Sequence, residues 1–227
     1  MKPESGLAKF LRFIGILLMS LTAAFTVMGG IGTSCAALFP TKWESMAPLA
    51  KMQWLYILFV LVTTAIGILM IRAIVRLVRG KSDGYKSALV SLILGVVVGI
   101  IHILTSRSLR GSSMPVDAVV YMSVLTLVVF LLFRIPPVWK GVDYSKAPRK
   151  ERRKTGGAAA IVTGAACLSI QFLMASTHTW NGVNYADAFH ATMTISGIAL
   201  LVLGVWLVSG VRLSVQKEPE SLPEPGA

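Results

Sequence analysis

The chain has 227 residues, 55% hydrophobic and only 14% charged, with a net charge of +12 and a mean hydropathy of +0.72. Charged residues make up about 25% of an ordinary soluble domain, so this composition excludes a soluble globular class. The basic residues flank apolar blocks instead of forming a patch of their own, which excludes nucleic acid as the partner and points to topology signals and anionic lipid.

Six apolar spans are predicted, at about 10–31, 52–78, 86–106, 117–135, 157–177 and 188–211. Each is long enough to cross a hydrocarbon core of about 30 Å at 1.5 Å per residue. Inside lipid the backbone finds no water to bond, so helices are required. The expected fold class is an all-α integral membrane protein. It is a six-transmembrane-helix bundle over residues 1–212, arranged as three helical hairpins, with a disordered cytoplasmic tail at 213–227. That tail is rich in Pro and Glu.

The first span raises the question of cleavage. Its apolar stretch from Phe13 to Ile31 is 19 residues, longer than the apolar region of a signal peptide. Gly32 stands three positions before Cys35, where a lipoprotein site carries Leu or a similar residue. Cys35 is therefore expected to be neither lipidated nor paired in a disulfide, and Gly29, Gly30 and Gly32 are expected to end or loosen the helix. Next, Thr41 and Glu44 have the spacing of a capping box. A short interfacial helix is expected there, with Trp43 and Trp54 at headgroup depth.

In the second span Arg72, Arg76 and Arg79 recur at i, i+4, i+7 and are expected to snorkel to lipid phosphates. The third carries Ser91, Gly95, Gly99, His102 and Ser106 on one face, a small-residue stripe that turns His102 toward another helix. The fourth opens at Asp117 as N-cap and stops before Pro136-Pro137. The connection that follows holds Arg149, Lys150, Arg152, Arg153 and Lys154, expected to contact anionic headgroups. The fifth span aligns Cys167, Gln171 and His178, and the sixth His190 and Thr194. Similar motifs recur at offsets of 69 and 70 residues (Ile101 with Ile170, Asp117 with Asp187), the pattern that duplicated hairpins or evenly spaced helices would both leave.

With six spans, 18 Lys and Arg fall on the side of the N-terminus and 4 on the other. This asymmetry places both termini in the cytoplasm of a plasma-type membrane. His102, His178, His190 and Cys35 then share the outer level. His102 and His190 are the candidate cofactor ligands, and the four together are the candidate metal set, imidazole being suited to haem iron and transition metals. No HxH, HExxH or CxxCH motif supports that reading. All ten acidic residues lie outside the span centres, which argues against proton-coupled transport. The segment Tyr121-Met122-Ser123 lacks the glycines that flank an intramembrane serine nucleophile, and no phosphate loop is present.

The leading expectation is a non-enzymatic membrane component, an accessory subunit with a membrane-protein partner or a second copy of itself, and with no cofactor. The alternatives are an outer-side haem or metal redox protein using His102 and His190, and a small-solute permease lined by Gln171 and Ser/Thr side chains.

Overall fold

The computed structural model describes residues 1–42, 44–174, 179–180, 183–184, 187 and 190–210. Trp43, His178, Ala188 and the tail lie outside the described residues, as does the side chain of Gln171. The described chain forms seven helices: α1 (Gly6–Leu38), α2 (Gln53–Arg79), α3 (Gly84–Arg110), α4 (Val116–Phe133), α5 (Pro136–Val142), α6 (Arg149–Met174) and α7 (His190–Ser209). Two 3-10 stretches, Pro40–Lys42 and Glu44–Met52, precede α2. A two-residue antiparallel ladder, Thr179 with Asn184 and Trp180 with Val183, lies between α6 and α7. Five segments are long and apolar enough to cross a membrane: α1, Glu44–Arg79, α3, α4 and α7. The chain is a multi-pass α-helical membrane protein.

Local chemistry accounts for most helix limits. Ser5 caps α1 by accepting from the Ala8 N–H at 3.2 Å. α2 and α3 end at Gly80 and Gly111, whose φ values of 67° and 73° suit glycine. Pro136 and Pro137 sit in the first turn of α5, where the missing N–H costs nothing. That short helix was not expected from the sequence. Two local expectations are corrected. α1 runs unbroken through Gly29, Gly30 and Gly32 to Leu38, because Gly30 lies against the backbone and hydroxyl of Thr64 in α2 and packing holds the helix. Asp117 is the second residue of α4 and not its cap. The cap position is Pro115, while the Asp117 carboxylate accepts from the Ser113 hydroxyl at 2.8 Å and pairs with Arg107 at 3.1 Å.

α1 to α4 pack as a closed ring, each helix against its neighbours and α4 back against α1. Ile16, Met19, Met70, Ala73, Leu77, Ala88, Leu92 and Phe130 fill its core. α1 and α2 cross closely where Gly30 meets Thr64 and Gly67 meets Val27. In lipid there is little hydrophobic drive between helices, so such close backbone approach supplies the packing energy. The exterior is apolar on every side: Leu61, Leu104, Tyr121, Ile195 and Val202 are each more than 60% exposed. Several buried polar groups bond across helices. Thr22 meets Thr126 at 2.7 Å, Tyr56 meets Ser106 at 2.8 Å, and the Tyr85 hydroxyl donates to the Phe130 carbonyl.

α6 and α7 form a separate hairpin that rests on the ring through α6, against α1 and in part α2. Its two helices meet at glycines seven residues apart on each. A Cβ on Gly157 would lie 2.7 Å from the Gly204 carbonyl oxygen, and one on Gly164 would lie 2.8 Å from that of Gly197. The reciprocal approaches, Gly204 to Gly157 and Gly197 to Gly164, are 2.7 and 3.0 Å. The hairpin is thus joined backbone to backbone at two levels.

Candidate functional site

Two places gather polar chemistry. The first surrounds His102, which is buried in α3 between two α2 rings. Its imidazole stacks on Phe59 with centroids 4.3 Å apart, and meets the edge of Tyr56 at 5.4 Å. Beside it lies a cavity of about 40 Å³ among α1 to α4, lined also by Thr26, Thr33, Thr63 and Ser123. The expected stripe is what opens it: Gly95 lies under Met70 and Gly99 under Val120, with no side chain of their own to fill the space. Three of these hydroxyls already donate to carbonyls one turn back, Thr26 to Thr22, Thr33 to Gly29 and Ser123 to Val119. They present acceptor lone pairs to the cavity.

A volume of this size holds two or three waters. Ligand pockets run to roughly 300–1,000 Å³, well above this cavity. His190 is exposed at the first residue of α7, a helix that lines no part of this cavity. Cys35 is a half-buried free thiol in the last turn of α1, and Cys167 is a buried free thiol in α6. His178 lies outside the described residues. Among the described residues no group of three or more His, Cys, Asp or Glu side chains is placed to hold a metal.

The second place is the basic end, where the N-terminus, the α2–α3 turn, α5 and the start of α6 meet. Arg12 is only 1% exposed. It pairs with Glu151 of α6 and donates to the carbonyls of Gly141 and Pro3, the latter at 2.7 Å. The Tyr144 hydroxyl donates to the Arg12 carbonyl at 3.4 Å. Burial pushes that phenol up, and the Arg12 guanidinium offsets only part of the effect. Sequence reasoning counted Arg12 as a topology charge and missed this node. The available signal was its position, flanked by Leu11 and Phe13 within an apolar run.

The eight cations expected at lipid headgroups divide in two. Arg76 turns to Asp83 and Ser87. Arg152 donates to the Val78, Arg79 and Ala147 carbonyls, closing the C-terminus of α2. Arg153 donates to the Trp206 carbonyl at 3.1 Å and lies over that indole. Arg72, Arg79, Arg149, Lys150 and Lys154 are exposed.

Asp143, in the connection after α5, accepts from the amide and hydroxyl of Ser145 and pairs with Lys146 at 3.3 Å. Burial raises its carboxyl, but these partners outweigh it and hold the group below the ordinary carboxylate value. A depressed folded pKa contributes stability that is present above the unfolded value and is lost as pH falls through the folded one. Asp143→Asn should therefore flatten the acid side of the melting profile, below about pH 4. The change should stay under about 1 kcal/mol, because water screens the pair. A melting midpoint with the same acid dependence as the parent would contradict this.

Compared with known proteins, the chain matches no family model, no curated protein and no solved structure.

Proposed function

We propose that the chain is a non-enzymatic, six-span component of the plasma membrane, both termini cytoplasmic, acting as an accessory subunit of a membrane complex. One observation carries the non-enzymatic reading. Buried polar groups staple helices and loops together: Arg12 with Glu151, Asp117 with the half-exposed Arg107, Thr22 with Thr126 and Tyr56 with Ser106. Paired groups of this kind rigidify a bundle and are not free to act as nucleophile or base.

The sixth span is α6. Its charges stop at Lys154, and the 20 residues from Thr155 to Met174 carry none. It also runs beside apolar α7 along the glycine contacts. The orientation rests on the excess of Lys and Arg at the end where α1 starts.

Labelling tests the topology. In a chain with both native cysteines replaced by serine, single cysteines at the exposed positions Ser82, Ser112 and Ser145 are treated with an impermeant maleimide. Only Ser112→Cys should react in intact cells, and the other two should react after permeabilisation. Reaction at Ser82→Cys in intact cells would overturn the orientation. Cross-linking in native membranes tests the subunit role: a stoichiometric membrane-protein partner is expected, and recovery of the chain alone would sink it.

A further inference from the structure

A wide groove separates the α6–α7 hairpin from α1 and α2 and measures about 2030 Å³. Its walls are mostly apolar, formed by Ala23 and Val27 of α1, Ile71 and Val75 of α2, and Leu200 and Leu203 of α7, with the hydroxyls of Ser20, Thr163, Thr192 and Ser196 among them. Its mouth at the basic end is different. There the run from Arg149 to Lys154 brings five cations and one acid, and Arg79 and Lys81 join from the α2 side. The one acid, Glu151, is turned away to Arg12. The rim therefore carries a net positive charge that no carboxylate of the run neutralises.

We propose that this groove holds one two-chain anionic phospholipid of the cytoplasmic leaflet, its phosphate at the basic rim and its acyl chains along the apolar walls. The charge complementarity selects the head. A rim of this kind attracts an anionic headgroup by about 1 kcal/mol per nearby Lys or Arg. The shape fits the chains. From Arg153 at the mouth to Cys167 on the groove wall, α6 runs 14 residues, or about 21 Å. That exceeds the ~15 Å half-thickness of the hydrocarbon core, enough depth for the chains of one leaflet. The fold also explains why the groove is open. The hairpin's helices meet each other through glycines and reach the ring mainly through α6, which sets α7 across the groove from α1 and α2. A bound lipid would fill the gap and join the hairpin to the ring.

This rests on the membrane reading and on the basic end facing the cytoplasm. The test uses the full chain, purified in a neutral detergent and incubated with equal amounts of phosphatidylglycerol and phosphatidylcholine of matched chains. Native mass spectrometry then counts the lipid retained. One phosphatidylglycerol per chain is expected, preferred over phosphatidylcholine by about thirtyfold, since two rim charges at about 1 kcal/mol each make about 2 kcal/mol and every 1.4 kcal/mol is tenfold. Lys150→Gln with Lys154→Gln changes two exposed rim charges and should remove most of the preference. Val75→Trp narrows the wall and should remove retention of both lipids, with a melting midpoint showing that the variant stays folded. Equal retention of the two lipids would overturn the proposal. So would retention that survives Val75→Trp, or a dimer mass without lipid, which would assign the groove to a second copy. Carbonate extraction of native membranes separates the failures: a chain stripped from the membrane refutes the membrane reading, while one that stays and retains no lipid refutes the groove alone.

Discussion

Arg12→Ala should destabilise the protein by about 3–5 kcal/mol, the cost of breaking a buried ion pair from one side. The change strands Glu151, whose side chain is 15% exposed, and removes the donor that serves the Gly141 and Pro3 carbonyls. Lysine should rescue poorly. The guanidinium reaches three partners from one plane, whereas an ammonium at the same Cα is a compact point charge on a different stem. At 2–4 °C per kcal/mol for a chain of this size, the alanine variant should melt about 10 °C lower. The double variant Arg12→Met with Glu151→Leu should recover part of that loss, because apolar replacement of a buried pair is often neutral. A single alanine variant that melts with the parent would show that the node contributes nothing net.

Arg12 also joins parts of the chain that are far apart in sequence. Its partner Glu151 lies 139 residues away, and Gly141 lies 129 away. Together with the Arg152 bonds to Val78 and Arg79, it fastens the α6–α7 hairpin to the ring at the basic end. Loss of Arg12 should therefore loosen the hairpin more than the ring. Hydrogen exchange should rise first in α6 and α7 and later in α3 and α4.

Gly164→Ala is the second large effect expected. The new Cβ would lie 2.8 Å from the Gly197 carbonyl oxygen and 3.0 Å from the Leu201 amide nitrogen. Both obstacles are backbone, so no rotamer change relieves them, and the helices must separate. Overpacking of this kind costs typically 1–3 kcal/mol and occasionally more, and here it would also weaken the paired contact one level away. Gly197→Ala should cost a similar amount. The two together should cost less than their sum, because they obstruct the same approach. Gly32→Ala is the control. That glycine has nothing within 4 Å of a new Cβ and sits inside α1, where alanine is favoured by roughly 0.5–1 kcal/mol. A melting series in which Gly164→Ala and Gly32→Ala behave alike would refute the glycine contact.

The sequence placed the long helices well. The expected spans at 52–78 and 86–106 became Gln53–Arg79 and Gly84–Arg110, and the stop before Pro136 was seen. It read less well where neighbours decide. Gly29, Gly30 and Gly32 looked like the end of a helix, yet α1 continues because Gly30 is pressed against Thr64. His102 was legible as an inward-facing residue from its stripe with Gly95 and Gly99. Its actual companions, Tyr56 and Phe59, were not, since nothing local links residues more than forty positions apart. His190, grouped with His102 by depth alone, stands exposed on another helix.

Hydropathy and charge are properties that add along a local stretch. By itself, therefore, the sequence determined that the chain is helical, apolar outside and basic at one end. Tertiary structure alone decided that Arg12 is a buried anchor and not a surface charge. It also decided that Gly157 and Gly164, among the many small residues of α6, are the ones that meet Gly204 and Gly197. The reason is physical. A helix presents several small or polar faces, and which of them matters depends on how closely another backbone approaches and what it brings.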